Sequence, residues 1–128
     1  MKYIGKIDRE IYQCVTKDIV TEDVIITEGQ IAHIKERHPS DYERYCEYFI
    51  MALGDPDYII EANRPKTAIV LKEILEGEEH VKLVLRLCTS DDPKGYSNSI
   101  ITFMKISDKR WNRYLRTKDI LYKKEYSL

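Results

Sequence analysis

The stretch TEGQIAHIKERHP, Thr27 to Pro39, holds two of the chain's three histidines, His33 and His38, and sets Arg37 directly against His38. Histidine titrates near neutrality and is the commonest general acid or base. A cation beside it offers a place for an anion whose protons the imidazole could move. Thr27 opens a helix through the T-x-x-Q capping box closed by Gln30. At about 100° per residue, Ile31, Ile34 and His38 fall on one arc, Lys35 and Arg37 flank it, and His33 points away. Pro39 disfavours helical geometry at His38 and ends the helix there. His38 is therefore expected on the face that packs. The plainer alternatives are a helix-terminal histidine satisfying local carbonyls, and for His33 a solvated position one turn before Arg37. The two rings diverge by roughly 140° on a regular helix. That is poor geometry for sharing a metal ion, and no third ligand is evident, so no metal site is expected.

The strand-forming part supplies further candidates. Lys72 shares a face with Ala68 and Val70 and interrupts the densest apolar run, IVLKEIL. An unpaired charge buried there would be costly, and a partly open anion site would explain it. Arg86 shares a face with Lys82 and Val84. Ser99 and Thr102 stand three apart in one strand, so they are expected on opposite faces, with only one entering a given site. The Thr102 hydroxyl could hold a phosphate oxygen, and an ordinary strand-favouring threonine is the alternative. Tyr96, in the loop TSDDPKGYS, could stack on a base. The sequence contains no GxGxxG, Walker A, nucleophile elbow or HExxH. Cys14, Cys46 and Cys88 have no base nearby in sequence, which argues against a cysteine hydrolase.

The elements that must position these residues follow from periodicity. Residues 3–15 mix apolar and charged side chains without a clean period and read as a strand or a packed arm. After the first helix, Ser40 to Glu43 forms a second capping box. Tyr42, Tyr45, Cys46, Phe49, Ile50 and Leu53 continue it as a buried stripe until Gly54 and Pro56. Strands are expected over 58–61, 67–75, 81–88 and 98–106, the third with strict alternation. Ser107 and Asp108 cap a last helix over 109–117, and the tail either adds an edge strand or lies loose. Helices followed by a meander of strands give an α+β fold: N-terminal helices packed on a four-stranded antiparallel sheet, with a C-terminal helix.

The 128 residues fit a single domain with a real core. An apolar fraction of 43% and a charged fraction of 34% indicate an ordered globular chain. The net charge of −1 is unlike that of a nonspecific nucleic-acid binder, so any such contact must come from a local cluster. There is no secretory h-region and no membrane-length apolar run. The three widely spaced cysteines lack a CxxC and suggest reduced thiols in a cytoplasmic protein.

At these residues the chain resembles a known group. ITEGQIAHIKERHP, a capped helix ending at Pro56-Asp57, strands bearing Lys and Thr, and SIITFMKI are together similar to the phage-associated branch of the Barnase–EndoU–colicin–RelE-like nucleases. The likeness spans about residues 24–125, leaving 1–23 as an N-terminal arm or strand. KRWNRYLRTKDILYKKE fits small stand-alone versions carried by Gram-positive bacteria and their mobile elements. The resemblance implies a metal-independent ribonuclease with its site on the sheet face and no cofactor. Its expected site is His38 with Lys72 and Thr102, and Arg37, Arg86, His33, Ser99 and Tyr96 as substrate contacts. The implied chemistry is histidine-assisted attack of a ribose 2′-OH to give a 2′,3′-cyclic phosphate. The implied substrate is tRNA or other cellular RNA, in a toxin or phage-defence effector with an immunity or antitoxin protein as a candidate partner. The alternative is a nonenzymatic RNA- or protein-binding domain that keeps the fold.

Overall fold

The computed structural model describes residues 1–125. In chain order the elements are β1 (Lys2–Lys6), α1 (Arg9–Tyr12), β2 (Asp23–Ile26), α2 (Glu28–Arg37), α3 (Asp41–Tyr45), α4 (Phe49–Gly54), β3 (Tyr58–Ile60), β4 (Thr67–Ile74), β5 (Glu79–Arg86), β6 (Asn98–Ile106), α5 (Asp108–Thr117) and β7 (Ile120–Lys123). The sheet has seven strands in the order β1-β2-β6-β5-β4-β3-β7. Its centre, β3 to β6, is the antiparallel meander expected from the sequence. The expected four strands are thus extended. β1 pairs antiparallel with β2, β2 lies parallel to β6, and β7 pairs antiparallel with β3. The outermost strands are each only one of two readings offered by the sequence, because β1 and β7 bury almost nothing. A strand wetted on both faces has no apolar alternation to read.

The sheet separates two apolar layers. Ala68, Val70 and Ile74 of β4, Val81, Leu83 and Leu85 of β5, and Ile100 and Phe103 of β6 join Tyr12, Ile34, Tyr45, Phe49 and Leu53 from the N-terminal helices. On the other face α5 sets Trp111 against Ile60, Leu71, Met104 and Ile106. Trp111 meets Tyr58 edge-on at 5.8 Å. α5 is short, so it covers only part of this second face.

α2 forms with the capping box predicted. Thr27 Oγ1 accepts from the Gln30 N–H at 3.1 Å, and Gln30 Oε1 accepts from the Thr27 N–H at 3.1 Å. The second expected helix is broken by a 3-10 turn over Cys46–Tyr48. Its capping box is not formed: Ser40 is left-handed at φ 73° and makes no side-chain cap. The Asp41 carboxylate instead accepts the Lys105 backbone N–H at 3.1 Å, fastening α3 to β6. The buried stripe survives in Tyr42, Tyr45, Phe49 and Leu53, while Ile50 is exposed.

Candidate active site

The strand register decides which candidates can meet. Lys72 pairs with Val81, and Thr102 pairs with Val84. Val81 and Val84 are three apart on β5 and face opposite ways. Lys72 therefore lies in the helix-side layer and Thr102 on the other face, and the expected cleft of His38, Lys72 and Thr102 is not assembled. The Lys72 charge is met within the protein. Its Nζ donates to the Asp55 carbonyl at 2.7 Å and to the Asp55 carboxylate at 3.3 Å, and it lies 3.6 Å from Asp57. Only 6% of Lys72 is exposed. Asp55 is also bound by Lys124 at 2.7 Å. The Lys124 hydrogen bond, with Lys72, holds the Asp55 carboxyl below its ordinary range against the opposing effect of burial.

Ser99 and Thr102 do not face opposite sides. The register shifts between Val84 and Leu85, so that Ser99 pairs with Arg86 while Thr102 pairs with Val84. One extra residue is accommodated on β6, and the bulge turns both hydroxyls to the same face. Arg86 and Val84 sit there too. Thus Arg86, Ser99 and Thr102 share the part of the sheet that α5 leaves open. A depression of about 580 Å³ opens beside them, lined by Arg64, Lys66, Thr67, Val84, Arg86 and Ile101. Lys66 adopts φ 59° at the turn into β4, and its carbonyl accepts the Leu87 N–H at 2.8 Å. The turn of cations visible in the sequence is thereby pinned next to Arg86.

Two aspartates of the 89–97 loop answer these cations. Arg86 grips Asp92 through Nη2 at 3.0 Å and Nη1 at 3.3 Å. Lys66 reaches the exposed Asp91 at 3.2 Å. Asp92 also accepts the Thr89 N–H at 2.8 Å. That backbone bond, with Arg86, holds the Asp92 carboxyl below its usual range while burial opposes it. Beyond the loop a second hollow, about 630 Å³, is lined by Tyr96 on one side and by Val20, Thr21 and Asp23 on the other. Tyr96 is 62% exposed. Burial pushes the Cys88 thiol up, which is the wrong direction for a nucleophile.

Further along the same face stands a group that motif reading missed. Lys82 Nζ donates to the Tyr114 hydroxyl at 2.9 Å, and Arg110 Nε donates to it at 3.1 Å. The two cations lie 5.1 and 5.6 Å from the ring centroid. Half-burial raises the Tyr114 pKa, but the hydrogen bonds and charges of Lys82 and Arg110 outweigh it, so the phenol is held below its ordinary value. The spacing of Arg110 and Tyr114 along a helix was readable; the strand lysine opposite them was not. His80 was also missed. Its Nδ1 is 2.8 Å from Asp108 and its Nε2 is 3.3 Å from Glu73, and its ring lies 4.4 Å from that of Trp111. This buried histidine ties the start of α5 to β4 and so positions the helix that carries Tyr114.

The helix histidines divide differently from expectation. His38 is half-buried and ends α2: its N–H donates to the Ile34 carbonyl at 2.8 Å, and its carbonyl accepts from Asp41 at 3.1 Å. It lies on the arc of Ile31 and Ile34, which pack into the helix-side layer. The opposite relation holds for Gln30, whose Oε1 accepts from Ser99 Oγ at 3.0 Å. Arg37 lies within about 20° of Gln30 around the helix and His33 within about 60°. Both are exposed. Gln30 meets Ser99, and Asp41, just past the end of α2, meets Lys105, so α2 runs beside β6 in the same direction. At 1.5 Å per helical residue against about 3.3 Å per strand residue, His33 stands level with the segment between Ser99 and Thr102. The side of α2 that borders the hydroxyls therefore carries His33 and Arg37, not His38.

Among the described residues no group of three or more His, Cys, Asp or Glu side chains could hold a metal ion. None of the described helices is long and apolar enough to cross a membrane. A family model described as phage-Barnase-EndoU-ColicinE5/D-RelE like nuclease2 matches residues 1–123. No curated protein and no solved structure gives a match.

Proposed function

Because the chain belongs to the phage-Barnase-EndoU-ColicinE5/D-RelE like nuclease2 family, we propose that it is an RNA endonuclease working on the open part of its sheet. One observation carries this reading: the β6 bulge sets Ser99 and Thr102 on the face of Arg86, beside the depression lined by Arg64 and Lys66. Backbone phosphate needs cations and hydroxyl donors converging from a concave surface, and fixed positive groups stabilise the charge that grows as phosphorus becomes five-coordinate. Arg86 donates to Asp92 and to the Leu87 carbonyl and, since a guanidinium carries five donors, keeps the remaining ones for a phosphate. Thr102 supplies a hydrogen bond to a non-bridging oxygen, while Ser99, whose single hydroxyl proton goes to Gln30 Oε1, fastens α2 beside the site. Arg37 guards the helix side. A ribose 2′-OH attacks the adjacent phosphorus and the 5′-oxygen leaves, giving a 2′,3′-cyclic phosphate. His33, at the border of the groove, is the imidazole in position to move one of the two protons. Tyr96 and the hollow beyond it suit a stacked base.

The test is cleavage of RNA by the full chain in EDTA, with end-group analysis. Wild type is expected to leave 2′,3′-cyclic phosphate ends. His33→Ala should lose about 10²- to 10⁴-fold in rate, whereas His38→Ala should lose stability before rate. Retained RNA binding with no cleavage by wild type would replace the enzyme with a nonenzymatic RNA-binding domain. Equal rates for wild type and His33→Ala would remove His33 from the mechanism.

A further inference from the structure

We propose that Tyr114, held by Lys82 and Arg110 at the edge of the open groove, is the general base that takes the ribose 2′-OH proton. The inference rests on the ribonuclease reading above and adds to it the second proton-transfer group.

The placement comes from the register. Lys82 precedes Val84 by two residues on the same face of β5, and Val84 is the partner of Thr102. The Lys82 side chain is thus about 7 Å along the strand from the level of the Thr102 hydroxyl. α5 reaches the sheet at Trp111, and one turn later Tyr114 brings its hydroxyl to Lys82. The phenol oxygen stands where the cover of α5 gives way to the open surface, and Tyr114 is half-buried there.

The chemistry comes from the contacts. Ammonium and guanidinium groups only donate hydrogen bonds, so the phenol oxygen must accept from both. Its own proton is then directed away from them or lost. Two positive charges at hydrogen-bond distance favour the phenolate, and the net displacement of this phenol is downward despite its burial. The other residues facing this region do not counter them. On the same face β4 presents Ile69, Leu71 and Glu73, and Glu73 is turned to His80. β6 presents Met104 and β3 presents Tyr58. Among the described residues no carboxylate hydrogen-bonds the Tyr114 hydroxyl.

The step balances without a cofactor. The 2′-oxygen gives its proton to the phenolate as the O2′–P bond forms. The O5′–P bond breaks, and the 5′-oxygen takes a proton from the His33 imidazolium. A neutral phenol and a neutral imidazole remain, and exchange with water restores both.

The deciding measurement is the pH dependence of kcat and KM for RNA cleavage by the full chain and by Tyr114→Phe, Lys82→Gln and Arg110→Gln, alongside thermal unfolding of each. Tyr114→Phe is expected to lower kcat at neutral pH by about 10²-fold or more with KM little changed. Lys82→Gln, which keeps the phenol but removes a charge beside it, is expected to move the rising limb of the profile to higher pH. A purely structural tyrosine would change the unfolding midpoint and leave the limb in place. A Tyr114→Phe enzyme with the wild-type profile overturns the assignment while leaving the ribonuclease reading intact. A wild type that cuts no RNA overturns both.

Discussion

Lys72 and Lys82 occupy neighbouring strands of one hairpin, yet they lie on opposite faces of the sheet and in opposite electrostatic circumstances. Lys72 is surrounded by Asp55 and Asp57 and is almost fully buried. Lys82 meets a phenol, beside another cation, at the margin of an open surface. A lysine buried between two carboxylates has its ammonium donors taken up inside the fold, whereas Lys82, which among the described residues donates to a phenol, keeps its charge at an open surface. Along a strand the two look alike; what separates them is which carboxylates the neighbouring loop brings up.

Replacing each lysine by methionine should break this symmetry most visibly. Lys72→Met removes this cation from Asp57, whose side chain is only 5% exposed and keeps the Glu73 N–H at 2.7 Å. Loss of one partner of a buried pair costs about 3–5 kcal/mol; the half-exposed Asp55 makes the lower end the expectation. Denaturant titration should register this, while cleavage per folded molecule stays near wild type. Lys82→Met should cost under about 1 kcal/mol, in the range of single exposed interactions, and should depress cleavage. An exchange of these outcomes would mean that the site lies on the helix side.

Arg86→Gln sharpens the comparison on the open face. Its guanidinium is both a phosphate contact and the partner of Asp92. Cleavage should fall by about 10²-fold, the scale of losing one fixed transition-state donor. Hydrogen exchange should also quicken in the 89–97 loop, because Asp92 loses its cation. Unchanged cleavage would shift the phosphate towards Lys82.

The limits of sequence reading fall along the same division. The central strands were legible because one face of each is continuously apolar, as in Val81, Leu83 and Leu85. The capping box of α2 was legible because it is local. The faces of Ser99 and Thr102 were not, since a single bulged residue reverses the parity on which an alternation argument depends. The role of Lys72 was not legible either: its partners lie in a separate loop, and nothing in IVLKEIL reveals them. His33 was expected only as a substrate contact, with His38 preferred for catalysis because His33 lies off the packing arc of its helix. The proposed role of His33 uses that same geometry, since α2 is fastened to β6 through Gln30 and Ser99. The family likeness was legible from about residue 24 onward, and the match, over residues 1–123, takes in β1 as well.

Acid pH tests the buried side of the comparison. Asp55 is depressed below its ordinary value of 3.8 in the folded protein, by Lys124 first and Lys72 with it. A carboxylate of this kind adds stability that is complete above its unfolded pKa and disappears as pH falls through the folded one. The unfolding midpoint of wild type should therefore decline as pH falls from about 4, and Asp55→Asn should flatten that decline. The Asp55 side chain is half-exposed, so the flattening should be partial. An unchanged slope would mean that Asp55 contributes through its carbonyl to Lys72 alone.

The smallest effect is expected at Ser99. Its hydroxyl donates to Gln30 Oε1, which already accepts the Thr27 N–H. Ser99→Ala removes one of two bonds to an oxygen that stays satisfied, so the cost should sit at the low end of the usual 0.5–1.5 kcal/mol, about 0.5 kcal/mol. Thermal unfolding should barely move. The informative readout is the angle at which α2 borders the groove. If the Gln30–Ser99 bond orients the helix stripe bearing His33 and Arg37, Ser99→Ala should slow cleavage severalfold more than Ser99→Thr, which keeps the hydroxyl. Equal rates for the two variants would mean that the capping box alone holds α2 and that Ser99 plays no part in helix orientation, leaving Thr102 as the one hydroxyl of the pair with a part in the proposed site.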